Sequence, residues 1–225
     1  AYALAIDFNL MPEETMAQTT HYFVESIHRR DNHLSVGFLG ISHLLPALTK
    51  CGQNELAFTL LEQKGNPGWL YSVINGATTI WERWNSYIAE TGTFGDVSMN
   101  SFNHYAYGSI GQWLYRTVLG IQTGENIDEA GYHKIFLTPS WGGTLTYAKG
   151  EQETPFGKIA SSWEKKENSV VYHCEIPANT TAHLSLPANG HNSVQILEGA
   201  AIADAAVSGV AGFELVSGSY TFKIC

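Results

Sequence analysis

The chain has 225 residues, which is enough for one large domain or two small ones. It contains 12 lysine and arginine residues and 21 aspartate and glutamate residues, which gives a net charge of -9. A surface with this charge repels phosphate groups, so nucleic acid and anionic membranes are disfavoured as partners. Only 15% of the residues are charged, whereas 44% are hydrophobic and 12% aromatic, a composition that argues against disorder and favours a neutral ligand such as a sugar.

The three cysteines, Cys51, Cys174 and Cys225, show neither a disulfide framework nor the spacing of a zinc site, so we expect ordinary thiols. No apolar stretch reaches the length of a membrane span, and no signal peptide is visible. Residues 1–8 have the pattern of a helix already in progress, without a capping residue before it. We therefore expect the chain to begin inside a longer protein, with a natural mature start as the alternative.

Up to about residue 120 the apolar spacing is helical. Pro12 and the two glutamates after it are typical of a first helical turn. The helix that follows presents one face, formed by Met16, Thr20, Phe23 and Ile27. After a glycine-punctuated loop at residues 33–41, we predict a short helix over residues 44–51, with Pro46 near its first turn. Asn54 is predicted to cap the next helix.

The pattern loosens between residues 64 and 94, which is long for a simple connection and is typical of a functional loop. A helix is then predicted to resume at Ser98 and to continue to Val118. Beyond it, residues 123–131 read as a polar linker.

The last part of the chain alternates apolar and polar residues in short runs. Strands are predicted over residues 158–163, 169–176, 182–186 and 218–224, and a turn at Pro187, Asn189 and Gly190. The first two of these strands flank a hairpin signal at residues 165–168. Several short strands at this spacing predict an antiparallel β-sandwich.

The densest chemical cluster is residues 76–85, where Glu82 lies among Trp81, Arg83 and Trp84. Indoles around a carboxylate remove water and favour its neutral form, whereas a nearby guanidinium favours the ionised form. The balance could leave a base that accepts a proton from water. The alternative is an acid on a helix surface, with the tryptophans in the core.

Four motifs in order give this cluster a context. They are the string GATTIWERW around Glu82, the strings HL at residues 33–34 and GFLG at residues 37–40, the NPGW segment at residues 66–69, and the SMNSFNHYAYGS segment at residues 98–109. Together they resemble the α-L-rhamnosidases of the inverting type, with Gly68 in place of the usual serine. The IPANTTA segment at residues 176–182 is similar to the first strands of that family's C-terminal sandwich.

The resemblance implies a multidomain α+β protein. Residues 1–122 would form the C-terminal portion of an (α/α)6 six-hairpin barrel, and residues 123–225 a C-terminal antiparallel β-sandwich. The helices predicted here are too few for the whole barrel, so the rest of the parent chain would be needed to complete it.

The resemblance also implies hydrolysis of terminal α-L-rhamnosides with inversion, with Glu82 as the general base. The family's general acid belongs to a motif that is absent here, and the nearby acids Glu90 and Asp96 do not match it. His104 matches a residue that hydrogen-bonds the sugar. Further substrate-binding candidates are Trp69, Trp81, Trp84 and His33, with Phe38 in the same loop as His33. The chemistry requires no metal or organic cofactor, and the partner would be a rhamnosylated carbohydrate.

Two other functions are compatible with the sequence. One is a six-hairpin glycosidase with a different sugar specificity, and the other is a non-catalytic carbohydrate-binding module.

Overall fold

The computed structural model of the protein describes residues 1–124, 126–188, 193–203 and 209–225. Two compact units make up these residues, Ala1–Trp113 with Gly142–Thr144, and Leu114–Trp141 with Leu145–Cys225. The predicted boundary after residue 122 stays a prediction. Of the predicted turn, Asn189 and Gly190 lie outside the described residues.

The first unit is mainly helical. Its helices are α1 (Tyr2–Asp7), α2 (Glu13–His28), α3 (Phe38–Lys50), α4 (Asn54–Leu61), α5 (Trp69–Ile74) and α6 (Ile110–Trp113), and a two-stranded hairpin joins β1 (Tyr87–Ile88) to β2 (Thr93–Phe94). The predicted face of α2 is confirmed, since Phe23 and Ile27 are buried in it. None of the helices among the described residues is long and apolar enough to cross a membrane.

Two helix starts differ from the prediction. Helix α3 begins at Phe38 rather than residue 44, so Pro46 lies inside the helix and not in its first turn. The reason is that Ile41 is buried on the same face as Leu44, which extends the apolar stripe by one turn. Asn54 is the first residue of α4 rather than its cap.

The helix predicted from Ser98 is wrong over residues 98–105. Helical structure begins only at a 3-10 turn, Ala106–Ser109, which continues into α6 and then into a π-helical turn, Leu114–Val118. The Ser98 N–H and hydroxyl instead bond to the Asp96 carboxylate, at 2.9 and 2.7 Å. Serine and aspartate side chains that bond nearby backbone in this way compete with helix formation.

The second unit contains two five-stranded sheets within the described residues, ordered β10-β11-β8-β4-β3 and β5-β6-β7-β12-β9. Their strands are β3 (Ile121–Thr123), β4 (Lys134–Leu137), β5 (Tyr147–Thr154), β6 (Gly157–Lys166), β7 (Ser169–Ile176), β8 (Thr181–Pro187), β9 (Val194–Glu198), β10 (Ile202–Ala203), β11 (Val210–Leu215) and β12 (Gly218–Ile224). All four predicted strands are confirmed. The predicted linker instead contains the end of β3 and a 3-10 segment, Ile127–Tyr132.

Alternating burial closes the two sheets on a common core. In β8, Ala182, Leu184 and Leu186 are fully buried, so one face of this strand points inward. Across the core, the Phe213 ring of β11 lies 5.0 Å from the Phe222 ring of β12, which belongs to the other sheet. The pairs between described strands are antiparallel except for β4 with β8, which is parallel.

The packing of this core predicts different reactivities for two cysteine thiols. Burial raises the pKa of the Cys174 thiol in β7 to about 12, whereas Cys225 is exposed. Because the thiolate is the reactive form, we expect Ellman's reagent at pH 8 to modify Cys225 quickly and Cys174 only after unfolding. Absorbance with mass spectrometric mapping, in buffer and in denaturant, measures this. Equal native rates at the two thiols would contradict the packing.

Candidate functional site

Glu82 is held by two extended segments of the first unit that run side by side. The Glu82 N–H donates to the Ser101 carbonyl oxygen at 2.9 Å, and the His104 N–H donates to the Ile80 carbonyl oxygen at 2.8 Å. The Thr79 hydroxyl also donates to the Phe102 carbonyl oxygen. Residues 79–82 and 101–104 therefore form a short ladder, which we call the base ladder. Glu82 lies in a bend of it and not on a helix surface.

The Glu82 carboxylate is oriented by its own ladder partner. Its Oε2 accepts the Ser101 N–H at 2.7 Å, so Glu82 and Ser101 are bonded in both directions. Its Oε1 has no hydrogen-bond partner in the part of the chain that the structure describes, and the side chain is only half-buried. A hydrogen bond to an ionised acceptor is strong, so one oxygen is fixed while the other stays available.

Arg83 does not neutralise Glu82 through an ion pair. Its Nη2 lies 3.7 Å from Oδ2 of Asp96. The pKa of Asp96 is lowered, first by the hydrogen bond from the Ser98 hydroxyl and also by Arg83. Glu90 accepts a hydrogen bond from the Tyr71 hydroxyl at 3.3 Å. The two acids nearest to Glu82 in sequence thus have local partners.

His104 presents one ring nitrogen for recognition. The Ala106 backbone N–H donates to its Nδ1 at 3.2 Å, so the neutral imidazole carries its proton on Nε2. The Phe38 ring stacks on the imidazole at 4.7 Å and the Tyr105 ring at 5.0 Å, with interplanar angles of 18° and 14°. The ring is thereby held in place, with an Nε2–H donor that has no partner among the described residues.

Tyr107 is a residue of this site that the sequence analysis missed. Its ring stacks on Trp84 at 3.7 Å and 7°, its carbonyl oxygen accepts the Trp69 indole N–H at 3.0 Å, and its ring lies 5.5 Å from Phe38. Burial raises the pKa of Tyr107, Arg83 lowers it, and Glu82 raises it, which places the phenol in the field of both charges. The signal in the sequence that could have identified Tyr107 was its place in the SMNSFNHYAYGS segment, three residues after His104.

The three tryptophan candidates occupy different positions. Trp69 and Trp81 are buried, at 8% and 6% exposure, whereas Trp84 is half-buried. Trp84 donates its indole N–H to the Val36 carbonyl oxygen at 3.1 Å and meets Trp69 edge-to-face at 5.5 Å. Trp69 and Trp84 thus support Tyr107, while Trp81 packs on Phe102 at 5.4 Å. Their contact with a sugar stays a prediction.

His33 lies on the connection between α2 and α3. Its Nδ1 is 3.1 Å from the Arg30 carbonyl oxygen and 3.0 Å from that of Asp31, so Nδ1 is the protonated nitrogen. Its Nε2 faces Gly65, where an added Cβ would come within 2.6 Å of it. It is Phe38, the first residue of α3, that contacts His104, and the role of His33 in binding stays a prediction.

These groups define what the site can do chemically. An oriented carboxylate with one open oxygen can take a proton, and an imidazole N–H and a phenol can bond to hydroxyl groups. Within the described ranges, histidine, cysteine, aspartate and glutamate side chains form no group of three that could hold a metal ion. The arrangement suits proton abstraction beside a polyhydroxylated ligand.

Two family profiles match the chain. The bacterial alpha-L-rhamnosidase 6 hairpin glycosidase domain matches residues 1–118, and the bacterial alpha-L-rhamnosidase C-terminal domain matches residues 120–201. An alpha-L-rhamnosidase of Streptomyces avermitilis is 39% identical over 224 residues, covering 100% of this chain and 21% of the relative. One of Formosa agariphila is 41% identical over 196 residues, covering 87% and 21%.

Solved structures agree with these matches. The crystal structure of Streptomyces avermitilis alpha-L-rhamnosidase complexed with L-rhamnose superposes with a TM-score of 0.91 at 38% identity, covering 100% of this chain and 21% of that one. Native α-L-rhamnosidase from Aspergillus terreus gives 0.85 at 29% identity, covering 99% and 23%. The predicted fold class is confirmed. The chain spans about a fifth of the length of the relatives that it matches.

The histidine geometry predicts opposite tautomers at two positions. Neutral His104 should carry its proton on Nε2, because Nδ1 accepts a backbone N–H, and neutral His33 should carry its proton on Nδ1, because that nitrogen faces two carbonyl oxygens. Long-range ¹H–¹⁵N correlation spectra above pH 8 distinguish the two forms. The same tautomer at both positions would show that one of these assignments is wrong.

Proposed function

Because the chain belongs to the bacterial α-L-rhamnosidase six-hairpin glycosidase family, we propose that the whole protein hydrolyses terminal α-L-rhamnosides with inversion at the anomeric carbon. The observation that carries the proposal is the Glu82 carboxylate, which is fixed through one oxygen by the Ser101 N–H and open at the other. It lies on the same base ladder as His104, whose Nε2–H faces no partner in the described chain.

Glu82 is the general base of this mechanism. A water molecule gives one proton to the free Oε1 while its oxygen bonds to the anomeric carbon, and the bond to the leaving oxygen breaks on the opposite face of the sugar. A second carboxyl, about 6.5–9.5 Å from the first in enzymes of this kind, protonates that leaving oxygen. Glu90 and Asp96 are engaged with Tyr71, Arg83 and Ser98, so we assign the acid to a part of the protein upstream of this chain.

His104 and Tyr107 supply hydrogen-bonding groups for the sugar. His104 donates from Nε2, and Phe38 and Tyr105 prevent its ring from turning away. Tyr107 stays protonated, since burial raises its pKa, and its hydroxyl is without a hydrogen bond in the described chain. A donor that is already oriented loses little conformational entropy when substrate binds.

The remaining candidates lie around Glu82 and His104 in supporting positions. Trp84 and Trp69 hold Tyr107 in place, and Trp81 backs the base ladder through Phe102. We keep His33 as a substrate-binding candidate, because it lies on the connection that leads into α3 and Phe38. We retain residues 1–122 as the barrel part and residues 123–225 as the sandwich. The upstream chain completes the barrel, and the reaction uses no cofactor.

Replacing Glu82 by glutamine in the whole protein should lower kcat about a thousandfold, because the amide cannot take a proton from water, while L-rhamnose still binds. Steady-state kinetics with a chromogenic rhamnoside and calorimetry with L-rhamnose measure the two effects. Glu90→Gln is the matched control and should retain wild-type kcat. Wild-type turnover in Glu82→Gln would reject the base assignment.

NMR of the first product anomer tests inversion, and a panel of glycosides separates rhamnosidase from a six-hairpin glycosidase with another specificity. A protein that binds rhamnose but hydrolyses no glycoside in the panel would instead be a carbohydrate-binding module.

The 225-residue chain by itself should not hydrolyse a chromogenic rhamnoside, because a single carboxylate cannot act as both acid and base on opposite faces of the sugar. A sensitive endpoint assay with the Glu82→Gln chain as background measures this. Glu82-dependent hydrolysis by the isolated chain would reveal a second catalytic carboxyl within it.

A further inference from the structure

The second unit has a cavity of about 570 Å³ at one end of its sandwich. Strands of both sheets end there, since the cavity is lined by the turn between β6 and β7, by the last residues of β12, and by Pro187 at the end of β8. It is open to solvent on one side, so a ligand held there would stay partly hydrated. This cavity has no part in the proposed chemistry of Glu82.

Trp141 forms the aromatic wall of the cavity. Its ring packs on Trp163 at 6.3 Å, and the Trp163 indole N–H is already bonded to the Val118 carbonyl oxygen at 2.8 Å. The Trp141 ring is half-buried, and its own indole N–H has no partner among the residues that the structure describes. The cavity thus offers an anchored aromatic ring together with a free donor.

The rim of the cavity offers polar groups and a balance of charge. Asn168 and Ser169 line it, and their side chains make no hydrogen bond within the described ranges, so amide and hydroxyl groups are available. Lys165, Lys166 and Glu167 also line it. The Lys165 ammonium lies 5.9 Å over the Trp163 ring, and the Lys166 ammonium is paired with Glu164 at 2.5 Å, so two lysines stand beside two glutamates. A rim with balanced charges favours a neutral ligand over an ion.

We propose that this end of the sandwich is a second saccharide-binding site, which takes a neutral mono- or disaccharide. The C–H face of a sugar ring stacks on Trp141, whose N–H donates to a ring hydroxyl, and Asn168 and Ser169 bond to further hydroxyls. Such a site raises the effective concentration of a glycan substrate around the enzyme without taking part in hydrolysis.

The test uses the whole protein carrying His104→Ala, which weakens the proposed active site. Calorimetry with L-rhamnose and with α-L-rhamnosyl-(1→6)-D-glucose should detect a remaining site. Trp141→Ala should weaken that site at least tenfold, because it removes both the stacking surface and the donor. Asn168→Ala, on an exposed turn outside the core, should weaken it severalfold. Tyr147→Ala removes an exposed aromatic of the same unit outside the cavity and should have no effect.

Binding that Trp141→Ala and Asn168→Ala both leave unchanged would overturn the proposal, as would the absence of any remaining site for either sugar. Tighter binding of glucuronate than of the neutral sugars would overturn the inference from the charge balance. Hydrolysis of a small chromogenic rhamnoside should be unchanged by Trp141→Ala. The two proposals fail separately, because loss of the rhamnosidase assignment leaves Trp141-dependent binding intact, and the reverse holds too.

Discussion

The reciprocal hydrogen bonds between Glu82 and Ser101 are the constraint on which the site depends. The backbone N–H of each residue is bonded to the other, once through a carbonyl oxygen and once through the carboxylate. The same contact orients Glu82 and joins two segments that lie 19 residues apart in sequence. An irregular loop can position a reactive group in this way because its backbone donors are satisfied outside a helix or sheet.

Aromatic rings then give the loop the rigidity that regular structure would supply. Phe38 contacts both His104 and Tyr107, and Trp84 stacks on Tyr107. The indole N–H groups of Trp84 and Trp69 donate hydrogen bonds to backbone carbonyl oxygens, so these two rings cannot rotate without losing those bonds. What remains free is the Nε2–H of His104 and the hydroxyl of Tyr107, both of which suit a neutral polyhydroxylated ligand.

The tryptophans of the two units differ in whether the indole N–H is hydrogen-bonded. In the sandwich, Trp163 is buried with its indole N–H bonded, whereas Trp141 keeps a half-buried ring and a free donor. In the helical unit, Trp69 and Trp84 have bonded donors and support Tyr107. A buried tryptophan usually finds a partner for its indole N–H, as Trp163 does, whereas half-buried Trp141 at the cavity has none among the described residues. That distinction requires the coordinates, since composition counts all six residues alike.

The sequence by itself determined the order of helices before strands and the strands at residues 169–176 and 218–224, because local periodicity carries that information. Contiguous motifs also singled out Glu82 and His104 as candidates, and their roles stay a prediction. Only the tertiary structure decided the course of residues 98–105, where helical spacing lost to hydrogen bonds with Asp96 and the base ladder. It also decided that Arg83 pairs with Asp96 and that Tyr107 stacks on Trp84. The Ser98–Asp96 bonds are local, but the base ladder, the Arg83–Asp96 pair and the Trp84–Tyr107 stack join residues distant in sequence, and local propensity does not encode the geometry of such contacts.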